Sequence, residues 1–192
     1  MFIIPFIPWL LAVITLIAVL SIVLVSWKNG ISPMPTSRLV RRVVIQEVNR
    51  IPGYGDVIEA GSGWGTLGLD VVRYCPGKRL TGIENSLLPL WVSQGIAYLS
   101  VRFREAKGRQ QSMKGRLRFI RGNIYNSSYE HADCVICYLF PGAMERLLDK
   151  FIRELPPGAR VISVCFALPG KVPLRTITCP DALRTKVYVY VF

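Results

Sequence analysis

The sequence predicts an α/β domain whose strands and helices alternate and end in an antiparallel pair, set behind one long apolar N-terminal segment. Three observations predict it. Val57-Ile58-Glu59-Ala60 is a buried strand pattern that runs into the turn Gly61-Ser62-Gly63-Trp64-Gly65 and then an amphipathic stretch from Thr66 to Tyr74. Two further strand patterns, Arg79–Glu84 and Leu117–Asn123, each end on a polar residue at their carboxyl end. From Met1 to Trp27 no side chain carries a charge.

The glycine-rich turn is the most specific of these, because glycine permits positive φ in a tight turn and lets a ligand approach the backbone. Nicotinamide dinucleotides use the same strand, turn and helix with the spacing G-x-G-x-x-G. Counted from Gly61, its last glycine falls on Thr66. The shifted count Gly63-x-Gly65-x-x-Gly68 fits the pattern but starts two residues too late after the strand and leaves Glu59 without a role. S-adenosylmethionine (SAM) has no pyrophosphate and needs acceptors for its ammonium and ribose hydroxyls. An acid at the strand end, Glu59, supplies one.

Glu84 stands where a carboxylate takes two ribose hydroxyls, a position that fits either cofactor. Asn123 ends the third strand pattern, and its side-chain oxygen is a candidate acceptor for the adenine amino group. Glu59, Gly61, Ser62, Gly63, Gly65, Glu84 and Asn123 thus form the expected cofactor site. Each is weak alone; their order at consecutive strand ends carries the reading.

On these residues the chain resembles the class I SAM-dependent methyltransferases. It is most similar to the membrane-anchored group that contains the mitochondrial lysine methyltransferases of the ATP synthase c-subunit and the adenine nucleotide translocase, with their bacterial relatives. The resemblance runs from about Ile31 to the C-terminus. It rests on Ser32-Pro33-Met34-Pro35-Thr36-Ser37, Glu59-Ala60-Gly61-Ser62-Gly63-Trp64-Gly65 and Gly82-Ile83-Glu84, then on the segments 132–141, 154–163 and 166–169. The family commonly has Asp where this chain has Trp64 and Asn123. The resemblance implies a Rossmann-like, seven-stranded or nearly seven-stranded sheet with a terminal hairpin, SAM as cofactor, and a lysine amine of a membrane-associated protein as acceptor.

The N-terminal segment is expected to be a retained transmembrane anchor. Trp9 to Trp27 spans about 27 Å at 1.5 Å per residue, close to the hydrocarbon thickness, with an indole at each end. A cleaved signal peptide fits less well, since the start lacks basic residues and the apolar run is too long. Lys28, Arg38, Arg41 and Arg42 follow it, which places the catalytic body on the cytoplasmic side by the positive-inside rule. The expected organisation is an anchor over 1–27, a basic juxtamembrane linker and amphipathic helix over 28–50, and a methyltransferase domain over 51–192.

Lysine and arginine total 24 against 12 for aspartate and glutamate, a net charge of +12 that suits an anionic partner or a solvated face. In the first helix, Leu39, Val40, Val43, Val44, Val48 and Ile51 recur at helical spacing with the arginines elsewhere around it. That pattern predicts packing on the domain, with headgroup contact by the basic side as an added option. Leu87–Val101 is a helix pattern and 107–115 a polar connection. Met144, Leu147, Leu148, Phe151, Ile152 and Leu155 mark another helix, between strands at Cys134–Tyr138 and Arg160–Phe166. Leu174–Cys179 and Lys186–Phe192 fit an antiparallel pair at the sheet edge.

Cys134-Val135-Ile136-Cys137 has zinc-knuckle spacing, but residues three apart on a strand face opposite ways, so no metal site is expected. The five cysteines are expected to be reduced thiols. His131 sits in a loop with no nucleophile placed beside it. The aromatic, apolar Tyr138-Leu139-Phe140-Pro141 at the fourth strand end lacks the Asn/Asp-Pro-Pro-aromatic pattern of amino-directed DNA methyltransferases, which disfavours a nucleic acid. Tyr138 is the candidate for lining the acceptor pocket. A small-molecule or lipid methyltransferase and a catalytically silent membrane-bound module remain the alternatives, with a nicotinamide oxidoreductase behind them.

Overall fold

The computed structural model describes residues 6–29, 36–106, 113 and 115–192. It forms two compact units, Met1–Pro33 and Met34–Phe192. The expected proline-flanked motif before the first domain helix, at 32–35, and most of the polar connection at 107–115 lie outside the described residues.

The first unit holds helix α1, Phe6–Asn29, whose apolar sequence contains no acid. Its side chains are described without a break only from Phe6 to Ile17, about 18 Å of helix, and these are exposed. Among the described residues no helix is long and apolar enough to cross a membrane.

The second unit is a seven-stranded sheet in the order β3-β2-β1-β4-β5-β7-β6. Its strands are β1 (Gly55–Ala60), β2 (Lys78–Glu84), β3 (Leu117–Arg121), β4 (Cys134–Cys137), β5 (Arg160–Val164), β6 (Arg175–Thr178) and β7 (Lys186–Val191). Strands β1 to β5 are parallel, and β7 pairs antiparallel with both β5 and β6, the terminal hairpin expected from the sequence. The helices are α2 (Arg38–Asn49), α3 (Thr66–Tyr74), α4 (Leu87–Ala106) and α5 (Pro141–Glu154).

Helix α2 starts where the Ser37 side chain accepts from the Val40 N–H, and it ends two residues before Ile51 and three before Pro52. It buries Val40, Val44 and Val48 against the sheet face that also carries α3. Arg41 pairs with Asp70 of α3 at 2.8 Å, which spends one of the helix's cations inside the domain. The opposite sheet face packs α5 through Ala143, Met144, Leu147 and Phe151, with Tyr129 edge-on to Phe151 at 5.1 Å. Ile152 departs from the expected core set: it sits on the outer side of α5 and is exposed.

Cys134 belongs to one core cluster and Cys137 to the other, the opposite facing that strand geometry requires. Among the described residues no cluster of His, Cys, Asp or Glu could hold a metal ion. His131 is in an exposed turn. The strands β3 to β7 are each one to two residues shorter than their patterns, and in two the difference touches the site. β3 stops at Arg121, leaving Asn123 in the following turn, and β4 stops at Cys137, leaving Tyr138 just beyond it.

Strand order reverses between β1 and β4, because β2 and β3 build outward on one side and β4 and β5 on the other. At such a switch point the connections leave in opposite directions and open a crevice outside the carboxyl strand ends. The carboxyl ends of β1, β2, β3 and β4 all lie at that one edge.

The core packing gives a direct test. Phe151→Ala should destabilise the domain by about 3–5 kcal/mol through lost contacts and a residual cavity, while Ile152→Ala should cost less than ~0.5 kcal/mol. Urea midpoints of the two variants would show this; equal losses would mean that α5 presents a different face.

Candidate active site

The turn after β1 is built to come close to its neighbours. Gly61, Gly63 and Gly65 all have positive φ, at 76°, 50° and 73°. The Gly61 and Ser62 N–H groups both donate to the Ile83 carbonyl at 3.0 Å, tying the turn to β2, and the Gly65 N–H donates back to the Ser62 carbonyl at 2.9 Å. A Cβ on Gly61 would stand 2.9 Å from Leu139 Cδ2, so the turn also touches the segment after β4.

Beneath the turn lies Phe119, a residue that the motif analysis did not single out. A Cβ on Gly65 would fall 2.7 Å from its ring, one on Gly82 2.4 Å and one on Gly68 3.3 Å. The isolated Gly82 inside the β2 pattern was the available signal, since glycine within a strand marks close approach by another group.

Glu84 ends β2 and is buried. Its Oε2 accepts from the Gly63 N–H at 2.8 Å, and its Oε1 from the Ser86 N–H at 2.8 Å. One carboxylate thus joins the glycine turn to the start of α4. Each oxygen keeps a further lone pair for a ligand hydroxyl.

Glu59 lies deeper than a strand-end acid facing solvent. It is buried under the first turns of α3, where it accepts from the Gly68 N–H, and its Oε2 has no hydrogen-bond partner. Burial pushes its carboxyl up to about 8; the Gly68 N–H works against that shift, and the nearby Glu84 charge adds to it. Ser62 Oγ is likewise buried without a partner. Two orphaned acceptors beside a turn of glycines fit a ligand that brings donors, and an ammonium would favour the charged form of Glu59. This donor demand suits SAM better than a pyrophosphate.

Asn123 is exposed, and its Oδ1 accepts from the Tyr125 N–H at 3.0 Å, closing a local turn at the third strand end. One lone pair of that oxygen remains for a donor. Trp64 is half-buried in the glycine turn.

Tyr138 follows β4 and is half-buried. Burial pushes its hydroxyl above the ordinary phenol range, and Cys165 and Asp181 disfavour its ionisation further. Those two neighbours were not anticipated from sequence. Cys165 follows β5 in a left-handed conformation, φ 73°, with its N–H donating to the Lys186 carbonyl at 2.8 Å. Asp181 sits in the β6–β7 turn, where the Thr185 N–H and Oγ1 donate to its carboxylate at 2.7 and 2.6 Å. The structure therefore brings the glycine turn, Glu59 and Glu84 into one connected cluster, with Asn123 and Tyr138 at neighbouring strand ends of the same edge.

The raised carboxyl of Glu59 makes stability depend on pH. Because its folded value lies above the ordinary 4.5, its contribution is complete below about pH 4.5 and is lost as pH rises to about 8. Glu59→Gln should remove this loss. Relative to the wild type, the variant should gain stability between pH 4.5 and 8, by roughly 4 kcal/mol at most. Parallel urea-midpoint profiles for the two proteins across that range would contradict the assignment.

Comparison with known proteins agrees with this geometry. The ANTKMT methyltransferase domain family matches residues 59–175, from the acid of the glycine motif into β6. A protein-lysine N-methyltransferase from Saccharolobus islandicus (strain REY15A) is 26% identical over 162 residues, covering 83% of this chain and 91% of that protein. Two solved structures share the fold. An RNA methyltransferase from Salinibacter ruber in complex with S-adenosyl-L-homocysteine aligns with a TM-score of 0.65 at 22% identity, over 82% of this chain and 93% of that one. A methyltransferase from Geobacter sulfurreducens aligns with a TM-score of 0.60 at 16% identity, over 90% and 88%. The family match covers more than half of the sequence and includes the glycine turn, Glu59 and Glu84, so the chain belongs to the ANTKMT methyltransferase domain family and is a SAM-dependent methyltransferase.

Proposed function

We propose that the protein is a membrane-anchored protein-lysine methyltransferase, held by residues 1–27 with its catalytic body on the cytoplasmic side. The observation that carries the acceptor is the similarity to the Saccharolobus islandicus protein-lysine N-methyltransferase, which extends over most of both chains. The anchor is supported by the sequence, which has no charge before Lys28 and basic residues after it.

In this reading Glu84 accepts the ribose hydroxyls, Glu59 the ammonium and Asn123 the adenine amino group. Gly61, Ser62, Gly63 and Gly65 let the cofactor lie against the backbone. Bound there, SAM supplies a methyl group made electrophilic by its sulfonium. The chain's own task is to position the acceptor and keep water out. Tyr138 lines the acceptor pocket. Its hydroxyl stays protonated at neutral pH, so it can orient an amine but cannot take its proton. A lysine amine, near 10.4 in water, must instead arrive neutral through desolvation against the apolar strand end.

The anchor limits the acceptor. Only eight residues of sequence, 30–37, separate α1 from α2. The substrate is therefore a lysine in a membrane protein or close to the inner surface.

Glu84→Ala should weaken SAM binding by about 1.5–3 kcal/mol, or about ten- to hundredfold in Kd, by calorimetry. Tight binding of NAD with none of SAM would overturn the cofactor roles.

Tyr138→Ala should lower turnover on the order of 10²-fold with little change in SAM affinity. Methyl-lysine on membrane-fraction proteins should appear in cells with the wild-type enzyme and be lost with Glu84→Ala. Label confined to lipid, quinone or RNA, with protein lysines unchanged, would replace the lysine assignment by a small-molecule or nucleic-acid one.

A further inference from the structure

Helix α4 is apolar on both sides. One side packs on β2 and β3 through Leu90 and the fully buried Ser93, with Ala97 and Val101 partly buried, and Gln94 Nε2 donates to the Phe119 carbonyl at 3.0 Å. A helix with one packed face ordinarily shows charged residues on the other. Here no charged side chain occurs from Leu87 to Val101. The outward face instead presents Leu87, Trp91, Val92, Tyr98, Leu99 and Phe103, with Trp91 63% and Phe103 65% exposed.

The charge distribution changes abruptly where this face ends. Arg102 is the first cation, and its guanidinium lies 5.4 Å from the Tyr98 ring centroid, donating to the Tyr98 hydroxyl at 2.9 and 3.0 Å. Beyond it Arg118 of β3 is also exposed, whereas the Arg116 guanidinium is held inside the domain by the Lys78, Val72 and Cys75 carbonyls. An apolar stripe with aromatic side chains that ends at exposed arginines matches the boundary between acyl chains and anionic headgroups. A second copy of the chain fits less well, since each copy carries a net charge of +12.

We propose that the outward face of α4 is a lipid-contacting surface, which lies in the interface of an anionic bilayer with Arg102 at the headgroups. This surface is separate from the N-terminal anchor. It goes beyond tethering, because it fixes orientation: α4 begins at Leu87, three residues after Glu84, so lipid contact there brings the carboxyl edge of the sheet, and the site on it, to the membrane surface. An acceptor near the bilayer then reaches the site without the domain turning on its tether.

The test uses the full chain reconstituted in phosphatidylcholine vesicles containing about one-third phosphatidylglycerol, a strongly anionic surface. A lipid with a diazirine near its headgroup is activated, and labelled peptides are mapped by mass spectrometry. Label is expected within Leu87–Phe103, falling several-fold in pure phosphatidylcholine. In a Trp91→Ser, Phe103→Ser double variant the α4 label should fall by about tenfold or more, from lost apolar burial, with SAM affinity unchanged. Label in α1 but not α4 would overturn the proposal and leave the anchor standing. Label in α4 but not α1 would support the proposal and count against the anchor. Label in neither would overturn both.

Discussion

The ring of Phe119 fills space that Cβ atoms on Gly65, Gly68 and Gly82 would otherwise occupy, and the geometry of the site depends on that contact. The ring is a wedge between the middle of β2, the first turn of α3 and the end of the glycine turn. With it in place, the turn sits close enough to β2 for the Gly61 and Ser62 N–H groups to share the Ile83 carbonyl and for the Gly63 N–H to reach Glu84. The glycines thus serve packing below the turn. A methyl group at Gly82 would displace the ring and, through it, the glycine turn.

Two carboxylates share this small region and are held differently. Glu84 has both oxygens engaged by backbone N–H groups, so it is fixed in place and pre-aimed. Glu59 has one oxygen unsatisfied and its carboxyl raised by burial. An orphaned buried acceptor is costly in the free protein, on the order of 1–3 kcal/mol, and a cationic donor removes that cost. Burial therefore keeps Glu59 neutral in the free protein, and under the proposed function the cofactor's ammonium would favour its charged form. Tyr138 differs from both: burial first, and then the nearby Cys165 and Asp181, hold its phenol neutral.

Much of this was legible in the sequence for a local reason. Glycines at 61, 63 and 65 after an apolar run, and acids at 59 and 84, report backbone and charge requirements that hold whatever surrounds them. The bounds of α3 followed from periodicity, and the closing hairpin was what the family resemblance implied. What the sequence did not disclose depended on tertiary placement. Phe119 resembles any strand aromatic until Gly82 and Gly68 are seen facing it. The depth of Glu59 depends on α3 lying over it. Cys165 and Asp181 meet Tyr138 only because β7 runs antiparallel to β5 and returns the β6–β7 turn to the carboxyl edge. Ile152 and the outward face of α4 show the converse limit: apolar periodicity marks a helix, but it does not say whether each apolar side has a partner.

The central claim is that the buried acid under the glycine turn is completed by the cofactor's cation. Calorimetric titration of SAM into the protein at pH 7, in two buffers of different ionisation enthalpy, tests it most directly. The account predicts one-to-one binding with net proton release, as Glu59 passes from neutral to charged, and no such release in Glu59→Gln. Binding with the same apparent enthalpy in both buffers would show that no proton leaves the site, and would contradict the assignment of Glu59 to the cofactor's ammonium.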